Sequence, residues 1–282
     1  MNKHKWVAVA ADFNSPFTRN YIFVKSFFSY PKLGAPRIPF AMAARRNNIE
    51  YIPDMIQWQV CHDALKKLVE KDMYFVDKLI DKTMKLGEEV TAETEKKLFK
   101  ADITKIEAKE LVRLLQRFID GTGSLYTYGT LLPILDFGGF AFVEGNLNKF
   151  LKEKLSPKEY AEAYAVFTAP PHNSFQQDQE EYLQKLQPDE FQRMILNVAG
   201  KVVWSKPRRK DYQSKSYYHS EKLMKEIGRR LGLTLEEARS TPIDMIENAL
   251  LHGKPVNKEV IKQVFEFYVC GCISSSSFCT CL

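Results

Sequence analysis

From Pro53 onward the apolar residues of this chain recur at three- and four-residue intervals between proline and glycine breaks. That rhythm dictates a mainly helical fold. Met55, Ile56, Leu65, Leu68, Val69, Val76, Leu79 and Ile80 fall on one stripe, as expected when one face of a helix packs on a core. Pro53 suits the first turn of that helix, where its missing N–H is harmless, and Gly87 suits its end. Thr104-x-x-Glu107 has capping-box spacing ahead of Leu111, Leu114, Leu115 and Phe118, with a stop expected near Gly121.

Ser156-Pro157-Lys158-Glu159 repeats the capping signal with proline at the first helical position. "TAPPHNS" at 168–174 breaks the chain before a helix at "FQQDQEEYLQKL", and Pro188 opens another that should end near Gly200. A linker is expected around Pro207, after which the helices shorten. "SEKLMKEIGRRLG" ends at Gly232, Thr234-x-x-Glu237 caps a very short helix, and Thr241-Pro242-x-Asp244 starts one ending near Gly253. A last helix, "NKEVIKQVFEF", runs into the aromatic and β-branched "FYV".

Before residue 53 the signals differ. "WVAVAA" at 6–11, ahead of Asn14-Ser15-Pro16, suits a short buried strand. "SYPKLGAPRIP" at 29–39 holds three prolines and a glycine and reads as an extended surface segment. The expected organisation is a mainly α, multi-helical body over 1–204, a small basic helical subdomain over 205–269, and at most a few short strands. A Cys/Ser-rich tail over 270–282 is expected to be disordered or to mark a truncation.

A chain of 282 residues can bury one large core or two ordinary ones. The apolar run Trp6–Ala11 is too short for a signal peptide, and no uncharged stretch approaches a membrane span. A cytoplasmic protein with no membrane partner is expected. Cys61 is the sole cysteine before residue 270, so no disulfide framework holds the body together.

Most constellations reduce to ordinary packing. In Cys61-His62-Asp63, adjacent helical side chains point about 100° apart and cannot clasp one ion; a core cysteine beside a surface histidine is expected. The glycines of "DGTGSLYTYG" (120–129) and "DFGGFAFVEG" (136–145) match no phosphate-loop pattern and read as turns. "LMKEIGRRLGLTLEEARS" (223–240) has helix-turn-helix layout. Its second helix, however, opens with Leu235-Glu236-Glu237, which would face phosphate with carboxylates. In the tail, Cys270-x-Cys272 and Cys279-x-Cys281 are spaced more tightly than zinc knuckles usually are. "CTCL" meets the form of a prenylation box without its aliphatic middle or a basic run upstream. No metal site is assigned.

Charge is the feature that asks for a function. Net charge is +6, but Lys201–Gly232 holds ten basic and three acidic residues, so this one segment exceeds the total. Its bland reading is a solvated linker; its functional reading is a surface facing an anion.

The segments "FTAPPHNSFQQDQEEYLQKL" and "RRKDYQSKSYYHSEKLMKEIGRRLGLTLEEARSTPIDMIENALLHGKPVNKEVIKQVFEFYV" resemble the helical region of phosphoenolpyruvate synthase and pyruvate phosphate dikinase relatives. "IGRRLGLTLEEAR", Thr-Pro-x-x-Met-Ile-Glu-x-Ala-Leu and the Gly-Lys-Pro-Val step carry the likeness, which is specific over about 168–269. The resemblance implies phosphoryl transfer from ATP through a covalent histidine, with ATP and Mg²⁺ held on modules that this sequence lacks. That histidine is expected shortly after a Gly-Gly run. None follows Gly138-Gly139 closely, and His172, His219 and His252 stand in unlike contexts, so no catalytic residue is carried over. The resemblance thus implies an incomplete or non-catalytic member that positions a phosphohistidine or ATP-grasp module in trans. Arg208, Arg209, Lys215, Arg229 and Arg230 are the expected anion clamps. The alternative is a helical binding protein using the same patch for nucleic acid or an acidic partner.

Overall fold

The computed structural model describes residues 5, 8, 10–13, 22, 26, 27, 29–46, 48–135, 142–170 and 175–272. The fold is mainly helical, as the periodicity predicts, with one small antiparallel sheet. In chain order come β1 (Ala10–Phe13), β2 (Phe40–Arg45), β3 (Asn48–Pro53), α1 (Met55–Lys71) and α2 (Phe75–Thr94). A π-helical turn, Glu95–Phe99, follows, then α3 (Ala108–Leu135), α4 (Phe142–Lys154), α5 (Pro157–Thr168) and α6 (Gln176–Leu186). The 42-residue α7 (Glu190–Leu231) leads to α8 (Leu235–Ser240), α9 (Ile243–His252), α10 (Lys258–Glu266) and β4 (Tyr268–Cys272).

The chain forms two compact units: Met1–Cys61, Leu86–Thr127 and Tyr212–Leu282 make the first, His62–Lys85 and Tyr128–Asp211 the second. The division falls inside α1, α2, α3 and α7. It does not follow the boundary expected at 204/205, because the linker expected at Pro207 is the interior of α7.

In the first unit the strands run in the order β1-β3-β2-β4, every neighbour antiparallel. β3 turns Ile49, Tyr51 and Pro53 inward and Asn48 and Glu50 outward, the period of two that a half-buried strand requires. The β2–β3 hairpin turns at Arg46, whose φ is 52°. Its N–H donates to the Phe265 carbonyl at 2.8 Å and its guanidinium pairs with Glu266 at 3.3 Å. The hairpin is thereby tied to the end of α10. Residues 270–272, expected in the tail, are instead the last residues of β4, with Met42 opposite Cys270 and Phe40 opposite Cys272. Cys279 and Cys281 lie outside the described residues.

The segment 29–39, expected to be extended on the surface, is partly buried. Tyr30–Leu33 is a 3₁₀ turn, and Tyr30, Ala35 and Ile38 are buried. Prolines deny this segment a helix or a ladder, but its apolar side chains are still driven inward. The apolar stripe after Pro53 is likewise two helices. Pro53 ends β3, and Asp54 caps α1 by accepting from the Ile56 N–H at 3.0 Å. An Asx turn at Asp72, whose Oδ1 accepts from the Tyr74 N–H at 3.1 Å, separates α1 from α2. Gly87 does not stop α2. A side-chain carbon there would lie 2.7 Å from Cγ of the buried Tyr212 ring, so glycine is what lets α7 approach. Nor does Thr104 cap α3: its hydroxyl donates to Asp102 at 2.6 Å, and the helix starts at Ala108.

The core of this unit joins Leu111, Leu115, Phe118 and Ile119 of α3 to Leu223, Met224 and Ile227 of α7. Ala238, Ile243, Ile246 and Ile261 of the last three helices complete it. Where signals are local the expected elements stand. Thr234 and Glu237 form a capping box, Asn257 caps α10, and Gly253, with φ of 63°, closes α9. In the second unit the Ser156–Glu159 capping box opens α5, which packs on α4 and α6. α4 itself had no clear sequence signal, its first turn being read as glycine-bearing loop.

Candidate functional site

The five nominated cations all lie on α7. Arg208 and Arg209 belong to the second unit, and Lys215, Arg229 and Arg230 to the first. Several have other duties. Arg209 donates to the Gly129 carbonyl. That carbonyl would accept from residue 133 in an unbroken helix, but residue 133 is proline and has no N–H. The guanidinium supplies the donor that Pro133 removes, and the space for its side chain exists because residue 129 is glycine.

Arg229 and Arg230 both grip Glu226, whose side chain is only 4% exposed. Arg229 does so through two bonds of 2.7 and 2.8 Å, Arg230 through one of 2.7 Å. The Arg229 guanidinium and then that of Arg230 hold this carboxyl down at about 2, against the opposing effect of burial. Arg230 also donates to the Thr104 and Ile106 carbonyls, at 3.2 and 2.7 Å. Lys222 reaches the Phe99 carbonyl at 3.1 Å and the Ala101 carbonyl as well. One edge of the basic segment thus satisfies carbonyls of residues 99–106 that no helix ladder serves. Arg208 is half exposed and 4.0 Å from Asp211. Lys215 is exposed and makes no ion pair among the described residues.

Lys215 borders a second feature that the sequence did not signal. The π turn Glu95–Phe99 lies against α7 at Tyr218 and His219, a local irregularity of the kind that collects at functional sites. His219 is buried, and its Nδ1 is 3.1 Å from Thr94 Oγ1. The Thr94 hydroxyl proton is directed to the Thr91 carbonyl at 3.0 Å. The oxygen therefore accepts from His219, the proton sits on Nδ1, and Nε2 keeps its lone pair. Burial pushes the imidazole below its ordinary range; the Glu95 carboxylate opposes this, while Lys215 and Lys100 reinforce it. Glu95 in turn is paired with Lys100 at 2.7 Å. Above His219, Phe99 and Tyr218 meet at 5.4 Å and are both open to solvent. A neutral imidazole, two exposed rings and exposed lysines are thus collected over one turn of α7. Phe99 and Tyr218 were missed because neither stands in a motif; only the contact between two distant segments pairs them.

The other histidines and the cysteine are less suggestive. Cys61 is buried and burial pushes its thiol up to about 12, which leaves it protonated and inert. His62, expected at the surface, is buried, with Nδ1 3.3 Å from Asp63. His172 lies outside the described residues. Among the described residues no group of three His, Cys, Asp or Glu side chains could hold a metal ion, and no helix is long and apolar enough to cross a membrane. The second unit has an open cleft of about 210 Å³ whose lining includes Lys149, Glu153, Phe191 and Gln192. It carries no convergent catalytic set. Comparison with family models, curated proteins and solved structures finds no match to this chain.

Proposed function

We propose that the protein is a helical docking module for a phosphate-bearing partner, with Lys215 and the lysines of the π turn as its anion contacts. The carrying observation is Lys215 itself: an exposed cation in the most basic segment of the chain that makes no ion pair among the described residues. Lys96 is also exposed and without an ion pair among the described residues. The sequence resemblance supplies the partner class, a phosphohistidine or ATP-binding module acting in trans, and makes this chain an incomplete or non-catalytic member of the phosphoenolpyruvate-utilising group. The clamps narrow accordingly. Arg209 and Arg230 belong to the fold, and Arg208 and Arg229 are left as peripheral contacts.

The test is binding of a phosphohistidine-bearing swivelling domain with and without its phosphoryl group. Binding is expected at least about ten-fold tighter with the group present, to weaken as salt rises, and to fall about three-fold or more with Lys215→Gln. Equal affinity for the two forms, or no response to Lys215→Gln, would remove the reading.

A further inference from the structure

Phe99 and Tyr218 are unusual among the large apolar side chains of this unit. They are 42% and 59% exposed, yet their rings are in contact, with planes inclined at 43°. Packing does not demand this arrangement. Leu98, one residue earlier, is buried and already anchors the π turn in the core. The His219 ring backs Phe99 at 5.2 Å and Tyr218 at 6.1 Å, which stiffens the pair from beneath. Lys215 lies three residues before Tyr218 on α7, so the two are neighbours on the helix surface. Lys96 and Lys100 flank Phe99 in sequence. Glu95 is the acidic group of the turn, and Lys100 neutralises it.

Aromatic faces beside cations match a ligand that alternates flat rings with phosphates. We propose that Phe99 and Tyr218 form a stacking platform for an unpaired base of single-stranded nucleic acid, with Lys215 and Lys96 on the flanking phosphates. The inference shares with the docking reading above only Lys215 and Lys96 as phosphate contacts; its partner is a nucleic-acid strand and not a phosphohistidine module. The openness of the rings decides among nucleic-acid ligands. A free mononucleotide needs a pocket that covers most of its surface, whereas a strand can add contacts along an open face. In a duplex the bases are already stacked on one another and present only their edges.

The test is fluorescence anisotropy of the full chain with labelled oligothymidylate at low salt, alongside inorganic polyphosphate and thymidine monophosphate. Tyr218→Ala is expected to weaken oligothymidylate by about ten-fold, Tyr218→Phe to restore it, and neither to alter polyphosphate binding. Lys215→Gln should weaken both polyanions. If Tyr218→Ala and Phe99→Ala leave oligothymidylate unmoved while Lys215→Gln lowers it, the platform is refuted and phosphate docking stands. If neither polyanion binds, the platform is refuted, and the docking reading is left to its own test. Mononucleotide binding as tight as that of the oligomer overturns the single-strand assignment.

Discussion

His219 is a histidine that the fold keeps neutral. Burial and the nearby Lys215 and Lys100 disfavour its protonated form, and only Glu95 opposes them. The unfolded chain takes up a proton near the ordinary value of about 6.5, while the native state takes it up only at lower pH. The contribution to stability is therefore complete above about 6.5 and is lost as pH falls from there towards the native value, below which the loss levels off. Urea denaturation across this window should show stability declining on acidification, and His219→Gln should flatten the decline. An unchanged slope in that variant would show that the imidazole titrates as freely in the fold as outside it. The residue scale is also where sequence is least informative about the candidate site. An excess of positive charge at 201–232 is visible in the sequence. That Lys222 and Arg230 serve carbonyls more than 120 positions away is not, because every residue has a carbonyl and only the fold says which lack donors.

Among the elements, α3 and α7 show how far local rules reach. Both contain proline in the interior, Pro133 and Pro207, and both continue through it. A proline costs a helix roughly 3 kcal/mol in isolation, which is why the sequence reads as a linker at 207; the glycines of 120–129 gave the reading of turns there. Tertiary contacts outweigh the penalty. Near Pro207, Val202 and Ser205 are buried, and Lys201 pairs with Asp77 at 2.5 Å. At Pro133, Arg209 replaces the missing donor. Caps, by contrast, are decided within four residues, so the capping boxes at Ser156 and Thr234 were legible from sequence and stand in the structure. The Arg209 tie is open to a double-mutant cycle. Arg209→Met should cost about 2 kcal/mol, as for a lost bond from a charged donor, but less than half as much in a Pro133→Ala background, where residue 133 regains an N–H. Chemical denaturation of the four proteins measures the coupling, and equal costs in both backgrounds would rule the tie out.

At the scale of the whole molecule, mainly helical character was readable from periodicity, because period depends on the chain alone; β2 and β3 carried no such signal and were not placed. The grouping of helices was not readable either, since a core is shared between segments distant in sequence. The expected subdomain 205–269 buries Leu223, Met224 and Ile227 against Leu111, Leu115 and Phe118 of α3, and its last strand pairs with β2. Expressed alone, residues 205–269 should show no cooperative thermal transition by circular dichroism; a sharp one would make them an independent domain after all. The same long-range construction reaches down to single positions. The carbonyl of Gly129 and the guanidinium of Arg209 meet across 80 residues of sequence, and what joins them is an absence at a third site, the amide that Pro133 does not have. In descendants of this chain, the three positions should mutate as a set: once an ordinary residue returns at 133, selection on 129 to stay small and on 209 to stay charged is released together.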